Sequence, residues 1–394
     1  MDPIIYLGID NCFASKRWVR PADWAGLISD LGLKYVEASA DTECDPLYMG
    51  PEFTRDWIEA AKDACAARGI EVKNVYSGHG TYATCGMTHY DERVRKRFLN
   101  QWMKAQTDTA AALGAGFGFF AHGFEEPLLQ DEGRYSEKLD ELYDTLSELA
   151  AYARARGVDY IGIEQMYSPH QPPWRIADTE EMMREVYHRS GAPFYITADL
   201  GHMNGQQYFQ RPDEALVERA IRCAREGNPI RRLWLGTAGA RRLYKQAAAG
   251  ELGMGAAVRQ IMGDVEAHPH LFAIPEDASN DAWVRRVGSY SPIIHLQQTD
   301  GKSSPHWTFT PENNKNGIVR PDEFLKALHA SYGAPELPGM PPRCWEITLT
   351  FEPFIATAGN TFDLLDDIAA SVACWRRWIP RDSMRLSEII ERIV

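Results

Sequence analysis

The chain has 394 residues, 44% of them hydrophobic, with 11 Trp and 15 Phe, enough apolar bulk for a large core and too much for wholesale disorder. Its formal charge is −13, from 42 basic and 55 acidic residues, which argues against duplex nucleic acid or an anionic membrane as the main partner. Seven scattered cysteines without a C-x-x-C pair speak against a disulfide framework or a thiolate zinc site. The opening Met-Asp-Pro-Ile-Ile-Tyr-Leu-Gly lacks the basic and long apolar regions of a signal peptide, and no run of about 18 apolar residues is present, so the cytoplasm is the expected compartment.

Short β-branched or aromatic runs alternate with longer stretches of helical periodicity. Ile4–Asp10 reads as a strand, Pro21–Leu31 as a helix, Lys34–Ala38 as a second strand, and Phe53–Arg68 as a helix closed by Gly69. Ile70–Tyr76 is a third strand, followed by one long helix over Asp91–Leu113. Phe117–Ala121 is a fourth strand and Tyr135–Arg156 an amphipathic helix ending at Gly157. Tyr160–Glu164 is the fifth strand, with a helix from Asp178 whose capping-box partner is Glu181. Phe194–Asp199, Pro292–Gln297 and Trp345–Phe351 complete eight strands, and a last helix runs from Thr361 to Trp375.

Eight β-α repeats favour a closed parallel (β/α)8 TIM barrel over an open sheet. No dinucleotide-binding or P-loop glycine motif is present. The rhythm breaks once, after the sixth strand. There Arg211–Glu226, Arg241–Ala249, Ala256–His268 and Asp277–Gly288 read as helices, forming an insertion over about 205–290 at the barrel mouth, a lid, an oligomer contact or a small core of its own. The barrel is expected to span 1–380, with 381–394 as an amphipathic helical tail.

Late strands end in acids or imidazoles. Ile161-Gly-Ile-Glu164 closes the fifth, Ala198-Asp199-Leu-Gly-His202 the sixth, Ile293-Ile-His295 lies on the seventh, and Phe351-Glu352-Pro-Phe follows the eighth. In a parallel barrel every strand C-terminus opens on one face, the face that carries active sites, so side chains far apart in sequence can meet there. Each has a plainer reading: a glutamate can cap a helix or pair with an arginine, and His295 can be a satisfied core histidine. Two Glu, one Asp and one His suit one hard or borderline divalent cation, with Mn2+ first and Mg2+, Co2+ or Zn2+ as alternatives. Glu346, six residues before Glu352, falls near the start of its strand, on the opposite face. Glu37, His79 and His122 are further polar residues near strand ends, each expected to be structural before it is functional.

These late-strand motifs resemble the xylose-isomerase-like barrel superfamily, in particular its ketose 3-epimerase branch. The matching residues are Glu164, Asp199 with His202-Met203-Asn204, His295, and Glu352-Pro353-Phe354. The resemblance implies that Glu164, Asp199, His295 and Glu352 bind one metal ion, that Glu164 and Glu352 exchange a proton with the substrate, and that His202 hydrogen-bonds a substrate oxygen. It implies a small sugar or sugar phosphate as substrate and a homodimer or homotetramer as assembly. Where the branch carries a glutamate six residues after the first metal ligand this chain has His170, and where it carries an arginine six residues after the metal histidine this chain has Gly301 followed by Lys302. His170 and Lys302 are therefore candidates for gripping the substrate, Lys302 through a phosphate or carboxylate, and His122, which follows the fourth strand, is a further candidate.

The expected reaction is epimerisation or isomerisation next to a carbonyl through an enediolate. The same site can serve a lyase or decarboxylase acting on an oxidised sugar or sugar acid. A phosphodiesterase with a multi-metal cluster fits poorly with one clear metal histidine and a net negative charge. A non-catalytic sugar-binding barrel has no need of both Glu164 and Glu352.

Overall fold

A computed structural model of the chain describes residues 1–78, 84–354 and 358–393. Eight strands form the predicted barrel: β1 (Ile4–Asp10), β2 (Tyr35–Ser39), β3 (Glu71–Ser77), β4 (Gly116–Phe120), β5 (Ile161–Glu164), β6 (Tyr195–Asp199), β7 (Ile293–Leu296) and β8 (Glu346–Phe351). Each pairs in parallel with its neighbour, and β1 closes the ring by pairing with both β2 and β8. β4 to β7 are buried at every position, because helices cover the outside and side chains fill the inside. That is why these strands read as continuous apolar runs. Outside them, Trp24, Trp102, Trp174, Trp283 and Trp375 are fully buried.

Helices begin and end largely where their punctuation requires. Pro51 starts Pro51–Arg68, and Gly69, at φ 64°, closes it in the left-handed turn that a side chain resists. Glu132–Ala155 is capped by Asp131, whose carboxylate accepts from the backbone N–H of Arg134 at 3.1 Å. The expected single helix over Asp91–Leu113 is instead Glu92–Phe98 and Lys104–Leu113 joined by a π-helical stretch, Leu99–Met103. The expected capping box at Asp178 does not form. That helix starts at Ile176, and Asp178 pairs with Arg175 at 2.6 Å inside its first turn.

After β6 the chain makes a 3-10 helix, His202–Phe209, then helices Glu214–Arg225, Ala238–Ala248 and Met254–Ala267, a 3-10 turn Pro275–Ala278 and helix Asn280–Val287. Two helices between β7 and β8, Pro311–Asn316 and Pro321–Gly333, have no counterpart in the sequence reading, although Pro321, Asp322 and Glu323 form a clear helix start. At the C-terminal end, Met384–Arg385 (β9) runs antiparallel to β1 before the short helix Leu386–Glu391, so a strand precedes the expected tail helix. Among the described residues, no helix is long and apolar enough to cross a membrane.

Candidate metal centre

Register sets the site. Asp199 lies directly beside His295 across the β6–β7 pair, Glu164 beside Thr197 across β5–β6, and Asp10 beside Glu37 across β1–β2. Glu352 follows Phe351, the last residue of β8, which is level with Leu296 on β7. One ligand atom each from Glu164, Asp199, His295 and Glu352 lies within 4.8 Å of the other three. Their exposures are 3%, 0%, 0% and 3%.

His295 is the centre of the arrangement. Its Nδ1 stands 3.0 Å from Glu164 Oε1, 3.3 Å from Glu352 Oε2 and 3.8 Å from Asp199 Oδ2. Its Nε2 stands 2.9 Å from Glu37 Oε1. Four buried carboxylates thus face one imidazole. Burial alone would push the His295 imidazolium down, but Glu352, Glu37 and Glu164 hold it well above its ordinary range. Glu352 and Glu164 are pulled below the ordinary carboxylate range despite burial, by His295 with His306 and by His202 with His295 respectively. Asp199 and Glu37 move the other way through burial, Glu37 to about 7. Concentrated negative charge removed from water is costly unless a cation answers it. Three carboxylate oxygens and one imidazole nitrogen at this spacing match the donor set of a hard or borderline divalent ion.

The supporting contacts fix each ligand. Asp199 Oδ1 accepts from the backbone N–H groups of Gly201 (2.6 Å) and His202 (2.9 Å), which explains the acid-x-glycine-histidine turn. A Cβ on Gly201 would lie 2.2 Å from the Gln297 side chain, and that amide donates to both Asp199 oxygens at 2.7 and 3.0 Å. Glycine is needed there for the close approach. Tyr76 donates its hydroxyl hydrogen to Glu164. His202 Nδ1 lies 3.0 Å from the Gln165 carbonyl, which can only accept, so Nδ1 carries a proton.

A cavity of about 430 Å3 opens beside the cluster, lined by Glu164, Glu352, His202 and His306 with Tyr167 and Phe354 among its aromatic walls. Lys302 is not among its lining residues. It is 79% exposed and paired with Asp300 at 3.1 Å, because the turn at Gly301 points it outward. His170 lies between the Phe124 carbonyl (3.0 Å) and Glu126 (3.3 Å), and it too is absent from the lining. His122 is buried against Phe98, Phe120 and Trp102, where burial lowers its pKa to about 3. Glu346 sits at the opposite end of the barrel, accepting from Tyr6 (2.8 Å) and pairing with Lys73 (3.4 Å). His79 lies outside the described residues.

Two residues matter more than their sequence signal suggests. Glu37, read as structural, is an acid in the middle of β2 rather than at its end, and it reaches His295. His306 comes from an irregular loop and carried no strand-end signal. Its Nδ1 is 3.2 Å from Glu352 Oε2, and its backbone is at φ 52°, an uncommon conformation for a residue with a Cβ. Gln297 anchors that loop, accepting from the His306 backbone N–H at 2.8 Å and from Ser304 at 3.1 Å.

The sequence model of the xylose isomerase-like TIM barrel family matches residues 25–232. The D-erythrulose 1-phosphate 3-epimerase of Brucella abortus (strain 2308) is 23% identical over 340 residues, covering 82% of this chain and 84% of that protein. A crystal structure from Rhodospirillum rubrum ATCC 11170, assigned provisionally as a xylose isomerase, superposes with a TM-score of 0.67 at 22% identity, over 95% of this chain and 99% of that one. D-Psicose 3-epimerase of Clostridium cellulolyticum H10, crystallised with D-tagatose, superposes with a TM-score of 0.53 at 14% identity, over 98% and 95% of the two chains. At these identities the two superpositions speak for the barrel.

Proposed function

The chain belongs to the xylose isomerase-like TIM barrel family, and on that footing we propose that it is a divalent-metal-dependent epimerase or isomerase of a small ketose or ketose phosphate. The observation that carries this reading is the convergence of Glu164, Asp199, His295 and Glu352 within 4.8 Å, beside a cavity that Glu164 and Glu352 line. The names of the relatives, epimerases of D-erythrulose 1-phosphate and D-psicose, support a sugar as the substrate. Mn2+ is the cation we favour for this oxygen-rich set with a single imidazole.

When bound, the cation supplies a Lewis acid for the carbonyl and neighbouring hydroxyl oxygens of the sugar. The chain's own residues do the rest. Of Glu164 and Glu352, one takes the proton from the carbon beside the carbonyl as a carboxylate, and the other returns a proton to the enediolate. Facing imidazoles lower both carboxyls, which suits the one that takes the proton, and the other gives a proton back only from its protonated form. Tyr76 steadies Glu164 and His306 steadies Glu352, which keeps each carboxylate aimed. His202 Nε2 hydrogen-bonds a substrate oxygen. Tyr167 and Phe354 cover the apolar faces of the sugar and keep water from the reacting carbon.

Deuterium exchange tests this reading. The Mn2+-loaded protein is incubated in D2O with four- to six-carbon ketoses and their 1-phosphates, and the label is located by NMR. Label at carbon 3 with a new epimer is the expected result, and label at carbon 1 or 2 with an aldose assigns an isomerase. No label in any sugar, in protein that still binds Mn2+, overturns the reading.

A further inference from the structure

Residues 227–250 contain five cations, Arg231, Arg232, Arg241, Arg242 and Lys245, and no acid, in a chain whose net charge is −13. They belong to the helical excursion after β6. Arg232, Arg241 and Lys245 rim a cavity of about 290 Å3 whose apolar wall includes Leu233, Trp234 and Tyr244. None of its lining residues lines the catalytic cavity.

Arg241 and Lys245 are four residues apart on helix Ala238–Ala248, so their side chains stand on one face. Like charges at that spacing destabilise a helix unless an anion lies between them. Among the described residues neither has a carboxylate partner, and Arg232 has none either. Arg232 is held at φ 56°, an uncommon conformation for such a residue, with its guanidinium 4.6 Å from the centroid of the Tyr208 ring. Trp234 Nε1 donates to the Leu271 carbonyl at 2.7 Å, so the indole offers the cavity its apolar surface. A concave apolar wall beneath three unpaired cations is complementary to a flat apolar body that carries a multiply charged anion. Guanidinium groups match phosphate oxygens two at a time, and a lysine adds a point charge.

We propose that this cavity is a second ligand site, one that takes a phosphorylated small molecule with a flat apolar body, and that it is independent of the carboxylate cluster. Phenyl phosphate is the probe. Isothermal titration of the Mn2+-loaded full chain at low salt should show one phenyl phosphate bound per chain, more tightly than inorganic phosphate. The double variant Arg241→Ala/Lys245→Ala should weaken that binding by at least about tenfold, since each charge-assisted contact is worth that much or more. Both changes are on an exposed helix face and introduce a good helix former, so the fold survives them. Glu352→Gln should bind phenyl phosphate as the parent does. Three results each overturn the proposal: no binding to the parent protein, undiminished binding to the double variant, or loss of binding in Glu352→Gln, which would place the ligand at the carboxylate cluster. A double variant that changes sedimentation but not phenyl phosphate affinity assigns the patch to a contact between copies and overturns it as well. These outcomes do not depend on which reaction the carboxylate site performs.

Discussion

Glu37 Oε1 lies 2.9 Å from His295 Nε2, while the other ring nitrogen, Nδ1, faces Glu164, Asp199 and Glu352. A metal-binding histidine whose second nitrogen donates to a carboxylate is fixed in tautomer and orientation and is more basic toward the ion. Glu37 is therefore a positioning residue for His295. Glu37→Gln keeps the shape and removes the charge. Mn2+ affinity measured by titration calorimetry should fall by about 10–100-fold. An unchanged affinity would mean that Glu37 only fills space.

Glu352→Gln and Glu164→Gln each remove a proton acceptor. With Mn2+ raised until both variants are loaded, the rate of label exchange from D2O into a ketose substrate should drop about 10²–10⁴-fold. A drop that excess Mn2+ fully restores would assign these residues to metal binding alone.

His306 touches Glu352 from a backbone at φ 52°, which asparagine tolerates better than most residues. His306→Asn should leave the loop and the Mn2+ affinity near the parent values. It should lower kcat/KM by about tenfold or more, the loss of one close contact to a charged group. Loss of Mn2+ in this variant would instead count His306 among the groups that hold the ion.

Removing divalent ions with a chelator should lower thermal stability, because the ion offsets the repulsion among buried carboxylates. At a Mn2+ concentration one hundred times its Kd the gain is about 2.7 kcal/mol. For a chain of this size that is a Tm increase of roughly 3 °C. A melt that ignores Mn2+ would remove the metal from the site.

Glu43 supplies a pH dependence remote from the metal centre. Burial raises its carboxyl from 4.5 to about 7, even though Trp57 and Trp24 donate to it at 3.0 and 3.2 Å. Below pH 4.5 the group is neutral in both folded and unfolded chains, so it costs nothing. As pH rises from 4.5 through 7, the unfolded chain ionises first, and stability falls by about 3 kcal/mol. Glu43→Gln keeps an oxygen for both indoles and has no proton to lose. Relative to the parent, its melting temperature should rise at pH 8 and converge with the parent's at pH 4.5.

Barrel and excursion were legible because they rest on local rules. The alternation of all-apolar strands with amphipathic helices is written in runs such as Phe194–Asp199, and a closed parallel barrel is the compact way to bury both strand faces. The break after β6 showed because no barrel repeat needs ninety residues. Pro321–Gly333 carries a local start signal in Pro321, Asp322 and Glu323. The interrupted helix over Glu92–Leu113 has no residue that announces its π-helical turn.

The sequence by itself determined which residues could hold a divalent ion, since Glu164, Asp199, His295 and Glu352 end or follow strands that a parallel barrel must open on one face. Tertiary structure decided which polar neighbours reach them. Lys302, His170 and His122 are as polar as Glu37 and His306, yet the cavity lining excludes Lys302 and His170, and His122 is buried among aromatics. Glu37 and His306 meet His295 and Glu352 only through the β1–β2 register and a loop tied down by Gln297. Strand-end chemistry is local and can be read along the chain. Contact between a loop and a strand three-dimensionally opposite depends on closure of the whole ring.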